Sequence, residues 1–88
     1  QDITIGHCQV LDPEFRGIEL RDCVRCRVSS NSIVDRRQPP RMLEAIRLTG
    51  NCRDNLIDNN MVGGARRVAI EVARGEAVVR DNLEVAGD

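Results

Sequence analysis

The apolar residues of this chain recur in a frame of two aliphatic side chains five positions apart, with a polar residue just before the second. The four frames begin at Ile5, Val28, Leu56 and Val78 and end at Val10, Ile33, Met61 and Leu83. Their starting positions are 23, 28 and 22 residues apart. A period of this length predicts a protein built from repeated structural units.

A second pattern, in which two aliphatic residues flank one charged residue, alternates with the first. It occurs at Ile18-Glu-Leu20, Ile46-Arg-Leu48 and Ile70-Glu-Val72. Residues two apart lie on one face of a strand, so the aliphatic pair is expected to point inward and the charged residue outward. The apolar spacing does not follow the helical period of 3.6 residues. Each unit is therefore predicted to contain three short strands.

Stacked units, with neighbouring strands about 4.8 Å apart, would place similar residues in vertical files. We expect one file to contain Ile5, Val28, Leu56 and Val78, a second to contain Val10, Ile33, Met61 and Leu83, and a third to contain Ile18, Ile46 and Ile70. A further stack of Asn31, Asn59 and Asp81 is expected at a turn. Asparagine and aspartate favour such positions because they tolerate left-handed backbone conformations and bond to nearby backbone groups.

These motifs, Ile18-Glu-Leu20…Asn31-Ser-Ile33, Ile46-Arg-Leu48…Asn59-Asn60-Met61 and a weaker copy at Ile70-Glu-Val72…Asn82-Leu83, carry a family resemblance. The chain resembles the superfamily of right-handed parallel β-helix proteins that includes pectate lyases, polygalacturonases, alginate epimerases and phage tailspikes. The resemblance implies an all-β fold, a right-handed parallel β-helix of about three to four coils. Residues 1–88 would form a single domain or a fragment of a longer one. The family also implies a secreted or cell-surface location.

Charge and hydropathy narrow the range of partners. The formal net charge is −1 and all 13 basic residues are arginine. Because no overall positive field is present, we expect no nucleic-acid partner. No stretch reaches the roughly 20 apolar residues that a membrane-spanning helix needs, so we expect no membrane partner either.

Five arginines near two predicted turns are the main candidate ligand-binding residues. Arg36, Arg37 and Arg41 flank Pro39 and Pro40, which cannot join a regular strand ladder, so residues 36–41 are expected to form a surface loop. Arg66 and Arg67 occupy the corresponding turn of the next unit. If the units are in register, these arginines approach one another and could bind the carboxylates of a uronic acid polymer. The alternative is a solvated loop with no ligand.

Arg47 is the sixth candidate, because it occupies the outward position of a first strand between Glu19 and Glu71 of neighbouring units. This arrangement could place a substrate carboxylate at Arg47 and a general base at Glu19 or Glu71. The alternative is a cross-strand ladder of ion pairs, which also explains why the charges alternate in sign.

The cysteines and the single histidine leave several chemistries open. Cys8, Cys23, Cys26 and Cys52 lie in strand-like runs and are interpreted as buried thiols, with disulfides or a metal site as alternatives. His7 falls at a predicted turn without a nearby carboxylate motif and is interpreted as a surface residue. We expect no catalytic residues, no cofactor and no metal.

The function predicted from these observations is that of a non-catalytic β-helix module with a structural or anionic-carbohydrate-binding role. The alternative is a fragment of a polysaccharide lyase, hydrolase or epimerase acting on uronic acid polymers. No capping helix is apparent at either end of the repeats, and solenoids need their ends covered. We therefore expect further β-helix coils or a homo-oligomer, with an anionic polysaccharide as the possible ligand.

Overall fold

A computed structural model describes residues 3–73 and 77–86 of the chain. These residues are all-β: the strands are β1 (Thr4–Gly6), β2 (Gln9–Leu11), β3 (Arg16–Arg21), β4 (Arg27–Ser29), β5 (Ser32–Val34), β6 (Glu44–Thr49), β7 (Asn55–Asp58), β8 (Met61–Gly63), β9 (Ile70–Glu71), β10 (Ala77–Arg80) and β11 (Leu83–Val85). The described part of the chain contains no helix, and hence none with the length and apolarity to cross a membrane.

The strands form three parallel sheets that the chain visits in rotation. Sheet A has the order β1-β4-β7-β10, sheet B has β2-β5-β8-β11, and sheet C has β3-β6-β9. Every described pairing is parallel and joins a strand to its counterpart in the next repeat unit. This all-β, parallel arrangement is compatible with a β-helix or another solenoid.

The register of sheet A differs from the predicted file by one residue in its last two strands. Val28 lies opposite Ile5 and Ile57, and Ile57 lies opposite Val79. The prediction that Leu56 and Val78 continue the file was therefore wrong. A shift of one residue turns a side chain to the other face of the sheet, and accordingly Ile57 is fully buried whereas its neighbour Leu56 is only partly buried.

Sheet B shows the same correction. Ile33 lies opposite Val10 and Val62, and Glu84 rather than an aliphatic residue follows Val62. Met61 and Leu83, which were predicted to lie in this file, are exposed instead. In sheet C the predicted file is confirmed, because Ile18 pairs with Ile46 and Ile46 with Ile70.

Two-residue links join sheet A to sheet B in every unit. The first residue of each link has a positive φ, and these residues are His7, Ser30, Asn59 and Asp81. The second residues include Asn31, Asn60 and Asn82, which hydrogen-bond to one another from unit to unit and are called the asparagine ladder below. The predicted stack was therefore correct at Asn31. In the next two units the stacked residues are Asn60 and Asn82, each one position after the predicted Asn59 and Asp81.

All three sheets contribute side chains to one core. Its fully enclosed members are Val28, Ile33, Met42, Ala45, Ile46, Ile57 and Val62, joined by Leu48 and the thiols of Cys23, Cys26 and Cys52. Burying each large aliphatic side chain contributes about 1.5–3 kcal/mol, so these short strands are stabilised mainly by packing between units. The polar loops lie outside this core, at the corners between the sheets, and the candidate site is formed by these loops.

Candidate functional site

The segment between β5 and β6 forms the predicted loop, and one buried carboxylate organises it. Asp35 is only 1% exposed. Its oxygens accept hydrogen bonds from the backbone N–H groups of Arg37 (3.1 Å), Arg41 (2.7 Å) and Met42 (2.8 Å). The loop thus folds around a charge that replaces the strand pairing its prolines prevent.

The guanidinium of Arg37 completes this arrangement. Its Nε and Nη2 atoms donate to the two Asp35 oxygens at 2.9 and 3.1 Å. The hydrogen bond from Arg37, followed by the backbone donors of Met42, Arg37 and Arg41, holds the pKa of Asp35 well below its ordinary value, although burial acts in the opposite direction. Arg37 also donates to the carbonyl of Pro13, which ties the loop to the preceding unit.

Gly64 allows the following unit to pack closely against this loop. Its φ is +83°, and a Cβ at this position would collide with the backbone carbonyl of Asp35. Only glycine combines this conformation with so close an approach at low cost. The turn that begins at Gly64 therefore brings Arg66 alongside the loop.

The result is a cleft of about 480 Å³ at the corner between two units, called the arginine cleft here. It is lined by Arg37, Gln38, Pro39, Pro40, Arg41 and Arg66. Three of the predicted ligand-binding arginines, Arg37, Arg41 and Arg66, are thus brought together. Arg36 and Arg67, which were expected to join them, do not line the cleft.

Ion pairs neutralise most of the positive charge near the cleft. Arg36 pairs with Asp12 at 2.8 Å, and this contact lowers the pKa of the Asp12 carboxyl. Arg37 pairs with Asp35 at 2.9 Å and lies 3.6 Å from Glu14. These two guanidinium groups are therefore committed to the protein itself.

The other two arginines are more available to a ligand. Arg41 contacts Glu14 at 3.2 Å, but both side chains are more than 60% exposed, so this pair contributes little. Arg66 is exposed, and among residues 3–73 and 77–86 no carboxylate forms an ion pair with it. The cleft therefore carries one uncompensated positive charge next to a second that is weakly held.

Arg47 and Arg67 belong to a separate site on the outer face of sheet C. Arg47 contacts Glu19 at 3.1 Å and Glu71 at 2.6 Å, which is the alternating ladder predicted from the sequence. Arg67 contacts Glu71 at 3.8 Å and Glu44 at 3.1 Å. Arg16 closes the circuit through Glu44 at 2.6 Å and Glu19 at 3.8 Å.

The result is a closed ring of six alternating charges, called the ion-pair ring below: Arg16, Glu19, Arg47, Glu71, Arg67 and Glu44. Three arginines and three glutamates alternate, so the ring carries no net charge, and each guanidinium is shared between two carboxylates. A substrate carboxylate at Arg47 would have to displace Glu19 or Glu71. These contacts favour the ion-pair ladder over the substrate site as the interpretation of Arg47.

A local irregularity in β6 brings Glu44 into this ring. The carbonyl of Ala69 accepts hydrogen bonds from the backbone N–H groups of both Ala45 (2.9 Å) and Ile46 (3.1 Å). Ala45 and Ile46 are both buried, so the simple alternation of the strand is interrupted as at a β-bulge. Glu44 and Arg47 therefore join the same ring, although they lie three positions apart.

The cysteines lie in turns and not in strands, which corrects the prediction. All four are free thiols; Cys23, Cys26 and Cys52 are buried, whereas Cys8 is exposed. The sulfur atoms of Cys23 and Cys52 are 3.3 Å apart, and burial together with contacts to Cys52 raises the pKa of Cys23 to about 12. Within the described ranges, no group of His, Cys, Asp or Glu side chains is arranged to hold a metal ion.

Asp35 and Glu44, two buried carboxylates that position the arginines, were not predicted from the sequence. Asp35 directly follows β5 and precedes an arginine- and proline-rich loop, a position at which aspartate commonly binds backbone N–H groups. That signal was available. Glu44 gave no comparable signal, because its burial depends on the irregularity in β6.

Comparison with known proteins gave no match: no protein-family model, no curated protein and no solved structure is detectably similar to this chain.

Proposed function

We propose that this chain is a right-handed parallel β-helix module that binds an anionic polysaccharide in the arginine cleft without catalysing a reaction. Three parallel sheets visited in rotation support the β-helix, and the general right-handedness of crossovers between parallel strands supports its hand. The observation that carries the binding proposal is the exposed guanidinium of Arg66, which pairs with no carboxylate of the described residues and lines the cleft beside Arg41.

The chemistry of the cleft suits the carboxylates of a uronic acid polymer. An arginine can bind a carboxylate through two parallel hydrogen bonds, which makes it a better partner for a planar carboxylate than a point charge. Arg66 offers this group directly, and Arg41 can exchange its exposed contact with Glu14 for a ligand. Arg37 is held by Asp35 and would keep the wall of the cleft in place.

The ion-pair ring takes no part in ligand binding or catalysis under this proposal. Arg47 is shared between Glu19 and Glu71. Both carboxylates are held in ion pairs, so neither is free to act as a general base. We therefore interpret the ring as a clamp between repeat units. In lyase and hydrolase assays, we expect no turnover of polygalacturonate, alginate or their methyl esters by the wild type or by Arg47→Ala.

Binding is tested by titrating the protein with oligogalacturonates at low ionic strength, using calorimetry or amide NMR shifts. Arg66→Ala should weaken binding about tenfold, equivalent to roughly 1.4 kcal/mol, and Arg41→Ala should weaken it less. Arg53→Ala is the matched control, because the Arg53 side chain is exposed, its guanidinium lies 3.9 Å from Asp54, and the residue does not line the cleft.

Neutral, methyl-esterified oligosaccharides should not bind. If Arg53→Ala lowered the affinity for oligogalacturonates as much as Arg66→Ala, the effect would be one of overall charge, and the assignment of binding to the cleft would be overturned. Absence of any interaction at millimolar ligand would overturn carbohydrate binding itself.

A further inference from the structure

The asparagine ladder follows one hydrogen-bonding rule from unit to unit. The side-chain oxygen of Asn31 accepts the backbone N–H of Cys8 at 3.0 Å. The oxygen of Asn60 accepts both the backbone N–H and the Nδ2–H of Asn31, at 2.9 and 3.0 Å. The oxygen of Asn82 does the same for Asn60, at 2.9 Å in both cases.

Each ladder residue also donates back to the preceding unit. The Nδ2 atoms of Asn31, Asn60 and Asn82 donate to the carbonyls of Ile5, Val28 and Ile57, at 3.1, 3.1 and 3.2 Å. These carbonyls belong to the paired file of sheet A that continues to Val79. Each ladder residue is therefore fully hydrogen-bonded only when the next unit also has an asparagine at this position. That asparagine supplies the acceptor oxygen for the ladder residue and an Nδ2 donor for a sheet A carbonyl of the same unit.

The two ends of the ladder are chemically different. At one end the ladder position is occupied by Cys8, whose thiol donates to the Gly6 carbonyl at 3.5 Å. Asn82 ends it with its oxygen already occupied by two donors from Asn60. Its backbone N–H and its second Nδ2–H have no acceptor among the described residues, in contrast to the same groups of Asn31 and Asn60.

A groove lined by both aliphatic and polar residues lies at this same end of the molecule. A cleft of about 360 Å³ is lined by Val62, Val68, Ile70 and Val79, with Asn82 and Glu84 also lining it. Val62 is fully buried, whereas Val79 is 42% exposed although it occupies an inward file. Among the described residues, β10 and β11 are the end strands of sheets A and B, so no described strand pairs with their outer backbone groups. Such an edge can accept a further parallel strand.

We propose that this end binds an extended strand–turn–strand segment of polypeptide that carries asparagine at its turn and aliphatic residues on its inner face. The asparagine oxygen would accept the two free donors of Asn82, and its Nδ2 would donate to the carbonyl of Val79. The flanking strands would pair with β10 and β11, which is recognition by strand addition. The inference rests on the stacking of the units and not on polysaccharide binding.

A second copy of this chain fits the end less well. Head-to-tail stacking would place Cys8 opposite Asn82, and a thiol is a poor hydrogen-bond acceptor. Tail-to-tail stacking would oppose two Asn82 side chains whose oxygens are already saturated. The occupant is therefore a segment that supplies its own asparagine.

The chain's own third unit provides a suitable probe. A peptide with the sequence of residues 55–63, which contains the Asn60 turn between two strands, is titrated into isotope-labelled protein. We expect saturable binding, with slowed hydrogen exchange at the Asn82 amide. Asn60→Leu in the peptide should weaken binding at least tenfold, whereas Met61→Leu, a matched change at an outward position, should alter it less than twofold.

Equal binding of the Asn60→Leu and wild-type peptides would overturn the proposal, as would binding that leaves the Asn82 amide unaffected. Self-association of the protein through this end, detected by light scattering and abolished by Val79→Arg, would replace the proposed partner with a second copy. None of these outcomes depends on Arg66, so a failure here is distinguishable from a failure of carbohydrate binding.

Discussion

The side-chain oxygen of Asn60 accepts two hydrogen bonds from Asn31, one from its backbone N–H at 2.9 Å and one from its side chain at 3.0 Å. Asn60 is 1% exposed, so neither donor can turn to water if this oxygen is removed. One buried amide therefore connects the second and third repeat units, and its own donors bind Val28 and Asn82. This contact sets the register of sheets A and B at the turn between them.

Replacing Asn60 should be among the most damaging single changes in the chain. Asn60→Ala removes the acceptor of the backbone N–H and the Nδ2–H of Asn31, together with the Nδ2 donor to the Val28 carbonyl. A buried donor left without an acceptor costs about 1–3 kcal/mol. We expect a loss of about 3 kcal/mol in the free energy of unfolding, measured with urea. Asn51→Ala, at an exposed position, is the control and should change it by less than about 0.5 kcal/mol. Similar values for the two variants would contradict the role of the ladder.

The ladder also explains which part of the fold could be predicted from the sequence. In sheet C, single aliphatic residues alternate with charged ones, so Ile18, Ile46 and Ile70 could be aligned by hydropathy alone. In sheets A and B, aliphatic residues occur in adjacent pairs such as Leu56-Ile57, and hydropathy does not indicate which member faces inward. The inward member is set by the hydrogen bonds of the asparagine that follows each positive-φ residue. These bonds join neighbouring units, so they cannot be predicted from hydropathy.

The candidate site was predictable to a similar extent. Two prolines and three arginines indicated a surface loop, and the repeat indicated that Arg66 would approach it. Which arginines stay available could not be predicted, because that depends on carboxylates contributed by the neighbouring unit. Asp12 binds Arg36, and Glu44 draws Arg67 away to sheet C.

Asp35 should make stability depend on pH. Its pKa is lower in the folded protein than in the unfolded chain, so its contribution is fully present above the unfolded value near 3.9 and is lost as the pH falls through the folded value. Asp35→Asn removes the charge and places an amide donor against backbone donors. We expect it to cost about 3 kcal/mol at pH 7, as is typical when one partner of a buried pair is removed.

The difference in unfolding free energy between wild type and Asp35→Asn should remain constant from pH 7 to about pH 5 and narrow as the pH falls below 4. Urea titrations at a series of pH values measure it. A difference that grows on acidification would have the wrong sign for a carboxylate whose folded-state pKa is depressed.

The ion-pair ring predicts unequal effects of its glutamates. The Glu44 side chain is fully buried and contacts Arg16 and Arg67, whereas that of Glu19 is 36% exposed. Glu44→Gln should cost about 2 kcal/mol, because it removes the charge that Arg67 pairs with and weakens the charge-assisted hydrogen bond from Arg16, which water cannot replace. Glu19→Gln should cost less than about 1 kcal/mol, and this smaller loss should shrink further in salt. Equal costs would argue against Glu44 as the anchor of the ring.

The thiols should react at very different rates. Cys8 is exposed, whereas Cys23 is buried with its pKa raised to about 12, so few thiolates exist at Cys23 at neutral pH. With an aromatic disulfide reagent at pH 8, we expect one fast reaction that disappears in Cys8→Ser. The buried thiols should react only when urea unfolds the protein. Rapid modification of all four thiols in native protein would be inconsistent with the packed core.

The central claim is that repeat units stack with Val28, Ile57 and Val79 in one file of sheet A. Nuclear Overhauser contacts between the methyl groups of selectively labelled valine, leucine and isoleucine residues measure this most directly. We expect contacts from Ile57 to both Val28 and Val79. Contacts from Val28 to Leu56 in place of Ile57, or no contacts between units, would contradict it.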